Sequence, residues 1–302
     1  MAYTSRRQPR VGCLQDGRWL KLGGPRSAGG RPAFADNLLE IDGVLYLGRS
    51  EMRDARRVPG GGVDGKLDGR VYARAGASWR DVAGAPLFAD GFGSLRNEAF
   101  DRAGQLCAGF DAVVSRGVAL EVRVRCLDRG VWVDAAPPLT PRVSGRRVRS
   151  IDMDGGAAAG SDIYIGIDRF EIPPTDHRRR RDIDWPVLRL REGNYTPTSL
   201  GGTHPAWSEQ GDLYRVGPEI WAMRFDQRPR NRTFAARIVV KALVPATGQV
   251  RMVGAPLLDD EDIYGPISTG LAVADVPYVL WTKPNRRTRR NELRVSRLGP
   301  PR

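Results

Sequence analysis

A short run of glycine or aspartate, then apolar, aromatic and apolar residues, recurs five times along this chain. The copies are Gly43-Val44-Leu45-Tyr46-Leu47-Gly48, Gly104-Gln105-Leu106-Cys107-Ala108-Gly109, Asp162-Ile163-Tyr164-Ile165-Gly166, Gly211-Asp212-Leu213-Tyr214 and Asp275-Val276-Pro277-Tyr278-Val279-Leu280-Trp281. From Tyr46 through Cys107, Tyr164 and Tyr214 to Tyr278 the steps are 61, 57, 50 and 64 residues. A second element, a strand, a tight turn and a strand opening on an aromatic, runs out of phase with the first. Its clearest copies begin at Val11, Val71, Val122 and Val187 and carry Trp19, Trp79, Trp132 and Tyr195; a weaker one begins at Ile238. A repeat of this length means one supersecondary unit used several times, each copy unable to bury its apolar surface alone.

Alternation gives the unit its physics. In Leu120-Glu121-Val122-Arg123-Val124-Arg125-Cys126 every second residue is apolar, so one face of a strand meets a core and the other meets water. Asp16-Gly17 and Gly248 supply the positive φ that tight hairpins require. The 36 Gly and 22 Pro fall between the apolar runs and interrupt every helical window. Each unit therefore reads as two hairpins, or four antiparallel strands, and successive sheets must stack face to face.

On these elements the chain resembles the sialidase-like and kelch-like β-propellers, although Gln15-Asp16-Gly17-Arg18-Trp19 only echoes the sialidase Asp-box. The resemblance implies an all-β, five-bladed β-propeller over residues 9–298, with a flexible segment at 1–8 and a tail at 299–302. The blades are expected at 33–86, 94–139, 147–202, 204–257 and 265–298, or six in number if 204–250 holds an extra hairpin. The last blade lacks an outer hairpin, so the orphan hairpin around Trp19 is expected to join it and close the ring within one sheet. Trp19, Trp79, Trp132 and Tyr195 are expected as equivalent buried blade aromatics.

Net charge is +13, and all but four of the 48 basic residues are Arg. Such a skew reflects base composition more readily than function, although a guanidinium fork suits carboxylates and phosphates. Dense positive charge sits in two loops, at Arg178, Arg179, Arg180 and Arg181 and at Arg286, Arg287, Arg289 and Arg290. They suit a protein partner with an acidic surface better than nucleic acid. No apolar run approaches the ~20 residues of a membrane span. No signal peptide is evident, which favours a cytoplasmic or particle-associated protein. Cys13, Cys107 and Cys126 read as small buried hydrophobes in strands, with a bridge between two of them as the lesser reading.

Two histidines cannot form a multi-His metal site, and no P-loop occurs, so no cofactor is expected. Without a coherent catalytic set, the main reading is a non-catalytic scaffold mediating protein contacts in a larger assembly such as a viral particle. The alternatives are a lectin, with Trp185, Trp207 and Trp221 stacking on sugar rings, and a glycoside hydrolase. The hydrolase would draw on inner-strand carboxylates among Asp36, Asp42, Asp101, Asp152, Asp154, Glu209 and Asp275, with Asp36, Asp101, Asp152 and Glu209 the candidates carried forward.

Overall fold

In the computed structural model the described residues form strands and turns with no helix. The structure describes all residues except 1, 6–7, 16–17, 27–30, 58–62, 92–96, 116–118, 141–142, 145–146, 173–180, 203–207, 231–232, 257, 264–267, 274, 286–289 and 299–302. The chain divides into two compact units, Met1–Thr140 and Pro141–Arg302, each with three antiparallel sheets.

In the first unit, β1 (Ala2–Ser5), β2 (Gln8–Gln15) and β3 (Arg18–Gly23) form a three-stranded sheet. The next sheet runs β4 (Ala33–Ile41), β5 (Val44–Arg57), β6 (Val63–Ala75) and β7 (Ser78–Asp81), with β8 (Phe88–Gly91) paired to the free end of β6. The third holds β9 (Asn97–Arg102), β10 (Gln105–Ser115), β11 (Ala119–Asp128) and β12 (Val131–Asp134). The second unit opens with β13 (Val143–Ser144), β14 (Arg147–Ala159), β15 (Asp162–Ile172), β16 (Arg181–Asp184), β17 (Val187–Arg191) and β18 (Asn194–Pro197) in one sheet. Then come β19 (Ser208–Val216), β20 (Glu219–Arg230), β21 (Thr233–Val244), β22 (Gln249–Met252) and β23 (Leu258–Ile263), and last β24 (Ser268–Val273), β25 (Val276–Asn285) and β26 (Arg290–Arg297).

The four-strand unit read from the repeat is thus present, and its expected bounds fall within a few residues of the observed sheets. Among the described residues, stretch 204–250 holds β19, β20, β21 and the start of β22. Residues 2–5 supply β1 as a third strand to β2 and β3, a strand that the sequence reading did not foresee, and β24–β26 form another three-stranded sheet.

Hairpin turns carry the left-handed residues the sequence demands: Asp42 and Gly43 at φ 48° and 76°, Arg129 and Gly130 at 48° and 81°, and Gly248 at 72°. Alternation in β11 holds as read, with Val122, Val124 and Cys126 buried. Between sheets β4–β8 and β9–β12 lies a core of Met52, Leu67, Val71, Leu87, Phe88, Leu106 and Phe110. In the second unit one core, around Tyr164, Trp185, Leu213 and Ile220, joins sheets β13–β18 and β19–β23. Another, around Tyr214, Trp221, Ile238 and Val279, joins β19–β23 to β24–β26.

Cys107 and Cys126 face each other directly on β10 and β11 and form a disulfide, the lesser of the two sequence readings. They are buried strand residues, as expected; register adds the bond by placing the two side chains on one face at opposed positions. The side chain of Cys13 lies outside the description.

The blade aromatics are less buried than their regular spacing suggests. Trp79, Trp132 and Tyr195 lie half-buried on the short outermost strands β7, β12 and β18, where one face of the ring has no sheet beyond it. The side chain of Trp19 lies outside the description.

Candidate active-site carboxylates

Two of the innermost strands share an irregularity. In β4 the register against β5 shifts between Ala35 and Asn37, leaving Asp36 as the extra residue. In β14 the register against β15 shifts between Met153 and Gly155, leaving Asp154 as the extra residue. A bulge of this kind re-aims one side chain out of the regular pleat and recurs near functional sites. The two positions correspond: each aspartate lies six residues before a left-handed turn residue, Asp42 at φ 48° and Gly160 at φ 58°. Each bulge is also followed by a pair opposite glycine, Asn37 against Gly48 and Gly155 against Gly166.

Asp36 accepts a 2.8 Å hydrogen bond at Oδ2 from the hydroxyl of Ser50, itself 2% exposed. Burial pushes its carboxyl up from 3.8 to about 7, against the opposing effect of the Ser50 hydroxyl. The next residue, Asn37, donates from Nδ2 to the Ala99 carbonyl at 3.0 Å and pins the bulge to β9. On β6, Gly69 lies directly opposite Ser50, and the Phe88 ring fills the space that a side chain at Gly69 would occupy. Phe88 stacks on Phe110 with ring centroids 5.1 Å apart. An apolar wall therefore covers the neighbourhood of Ser50, while Asp36 itself is half-buried by accessible surface.

Asp154 is 5% exposed, and its Oδ2 accepts the Gly211 backbone N–H at 3.3 Å, tying β14 to β19. The position on β15 that corresponds to Ser50 on β5 is Asp168, which is buried and lies opposite Asp152. Close packing holds this region: a Cβ at Gly155 would meet the Leu213 nitrogen at 2.7 Å, and one at Gly166 would meet the Trp185 ring at 2.6 Å.

Three of the remaining predicted acids lie at turns. Asp101 accepts the Gly104 N–H at 2.7 Å and caps the β9–β10 turn, while Asp42 occupies the corresponding turn on the preceding sheet. Asp275 accepts the Gly217 N–H at 2.8 Å across two turns. Asp152 is half-buried on β14, and Glu209 lies on β19 opposite Asp226, its side chain outside the description.

Two of the three proposed sugar-stacking aromatics are core residues instead. Trp185 is 0% exposed and wedges against Gly166 and Gly211, because the break between β16 and β17 at Trp185-Pro186 turns its ring inward. Trp221 is buried beside Tyr214 and donates from Nε1 to Glu219 at 2.9 Å, while Arg251 covers the ring. Trp207 lies outside the described residues, as do Arg178, Arg179, Arg180, Arg286, Arg287 and Arg289. Arg181 and Arg290 open β16 and β26, their side chains outside the description.

A second polar cluster sits on the other face of β5. Arg49 is fully buried, pairs with Glu51, lies over the Tyr72 ring and donates to the Pro25 carbonyl at 2.6 Å. Tyr72 donates its hydroxyl proton to Glu51 at 2.9 Å. With its charge paired and its two terminal nitrogens bonded to backbone and carboxylate, this cluster ties the sheet to the segment before it, while the buried Arg49 Nε is left without a hydrogen-bond partner. Among the described residues no group of three His, Cys, Asp or Glu is placed to hold a metal ion, and no helix is long and apolar enough to cross a membrane.

The sheet architecture defines a β-propeller, and solved structures agree. An α-L-arabinanase from Penicillium chrysogenum, complexed with arabinobiose, matches with a TM-score of 0.59 at 10% identity, over 96% of this chain and 85% of the other. A Trypanosoma rangeli sialidase in complex with sialic acid matches with a TM-score of 0.52 at 8% identity over 98% of this chain; this chain spans 50% of the sialidase. The same sialidase with the inhibitor DANA gives 0.51. Both kinds are glycoside hydrolases on β-propellers, and they support the sialidase-like half of the sequence resemblance but not the kelch-like half. No family model matches the sequence, and no curated protein does.

Proposed function

We propose that this protein hydrolyses glycosidic bonds and that Asp36 is an acid–base residue of the reaction. The observation that carries this reading is the bulged innermost strand that re-aims Asp36, whose burial brings its proton affinity to about 7. A carboxyl poised near neutrality can both deliver a proton to a leaving-group oxygen and take one from water, the exchange that glycoside hydrolysis needs. The shared fold with arabinanase and sialidase supports the same chemistry by analogy.

This reading replaces the scaffold module favoured from sequence, whose warrant was the lack of a coherent catalytic set. The lectin reading loses Trp185 and Trp221 to the core. An arabinan-type oligosaccharide is the first substrate to try, because the arabinanase is matched over 85% of its length and the sialidase over 50%. The disulfide between Cys107 and Cys126 supports an oxidising compartment over the cytoplasm expected from sequence.

The test is turnover of dye-linked arabinan and p-nitrophenyl α-L-arabinofuranoside, with 4-methylumbelliferyl sialoside in parallel. Activity on one of them that Asp36→Asn removes supports the proposal. Full activity in Asp36→Asn, or no turnover across a broad panel of aryl glycosides, overturns it.

A further inference from the structure

We propose that Ser50 is a positioning residue for Asp36: its hydroxyl fixes Oδ2 as the hydrogen-bond acceptor and thereby sets which carboxyl oxygen, Oδ1, carries the exchangeable proton. This inference rests on the hydrolase reading and deepens it. The geometry is the warrant. Ser50 is 2% exposed, its Oγ stands 2.8 Å from Asp36 Oδ2, and its neighbour across the ladder is Gly69, over which the Phe88 ring lies. A hydroxyl donor held against an apolar wall has little alternative to the carboxylate, and a donated hydrogen bond favours the ionised form. An acidic proton on Oδ2 would compete with that donor, so the neutral acid keeps its proton on Oδ1.

Among the other charged and titratable groups of the elements around β4, the side chains of Tyr3 and Glu98 lie outside the description. On β5, Arg49 and Glu51 pair with one another, and Tyr72 on β6 joins them. From β2, Arg10 is exposed. On β9, Asp101 caps its turn and Glu98 stands opposite Gly109 of β10. Tyr3 is the titratable residue of β1. Ser50 is the hydrogen-bond donor that reaches the Asp36 carboxyl.

The experiment follows the Asp36 carboxyl directly, by carbon-13 NMR of Asp-labelled protein across pH, in wild type, Ser50→Ala and Ser50→Thr, with the Asp36→Asn spectrum giving the assignment. Removing the hydroxyl should raise the Asp36 midpoint by about one pH unit, whereas Ser50→Thr, which restores it, should stay within about 0.3 unit of wild type. A limb of the kcat/KM profile on the aryl glycoside should move by the same amount in Ser50→Ala, with the fall in kcat larger than any change in KM. Thermal unfolding of each variant checks that the sheet is intact. An unmoved carboxyl midpoint in folded Ser50→Ala overturns the inference and leaves the hydrolase reading standing. A moved midpoint with an unmoved rate profile overturns the positioning role. A moved midpoint in a protein that turns over no glycoside overturns the hydrolase reading while confirming that Ser50 holds the Asp36 proton.

Discussion

Sheets β4–β8 and β13–β18 are two versions of one design. Both place an aspartate on a bulge of the innermost strand, a tyrosine (Tyr46, Tyr164) and a glycine (Gly48, Gly166) on the next strand, and an aromatic plug against a glycine, Phe88 on Gly69 and Trp185 on Gly166. They part at several positions, that of Ser50 among them. Where β5 offers the Ser50 hydroxyl to Asp36, β15 carries a carboxylate, Asp168. At Asp36 the neutral donor eases ionisation of the bulge acid against the effect of burial.

The largest effect that separates the two copies is expected in turnover. Asp36→Asn should lower kcat/KM by at least about a hundredfold, the usual contribution of a general acid or base. The plugs come next. Trp185→Ala should cost about 3–5 kcal/mol in urea unfolding, since the ring is fully buried against two glycines. Gly211→Ala should injure the same region by overpacking against that ring. Replacing Cys107 and Cys126 with serine opens a cross-link spanning 19 residues and should cost about 3 kcal/mol, with no counterpart in the second unit among the described residues. Trp79→Ala should cost only about 2 kcal/mol, because the ring is half-buried on an outer strand.

Architecture was legible in the sequence because period and alternation are averaged over many residues. Tyr46, Tyr164 and Tyr214 mark three sheets without any one of them being decisive. Terminal pairing was not legible, since β1 contains only Ala2-Tyr3-Thr4-Ser5 and carries no periodic signal. Burial of Trp185 was hidden for a similar reason: it depends on Gly166 and Gly211, which are distant in sequence and become meaningful only in register. Asp36 was a visible candidate, but its standing above Asp101 was not, because both are aspartates near a hairpin. One sits at the bulge and the other caps the turn. A usable signal was present: the spacing of six residues to the turn is shared by Asp36 and Asp154. Ser50 left no trace, since a serine in a strand is ordinary until the partner that it touches is known.

The smallest effect, and the one that bears most directly on Asp36, is the pH dependence of stability. Its carboxyl binds a proton more tightly in the folded chain, at about 7, than its ordinary value of 3.8. Between those values the folded state holds more of that proton than the unfolded state does, so stability contributed by Asp36 is complete below about pH 4 and declines as pH rises towards 7. Asp36→Asn removes this titration while keeping an acceptor for the Ser50 hydroxyl. From pH 5 to pH 8 wild type should therefore lose about 1–2 kcal/mol relative to Asp36→Asn, a figure reduced for the partial exposure of the carboxyl. Urea midpoints at a series of pH values measure it. A wild type and variant that run parallel would show that the apolar wall of Phe88 does not reach Asp36.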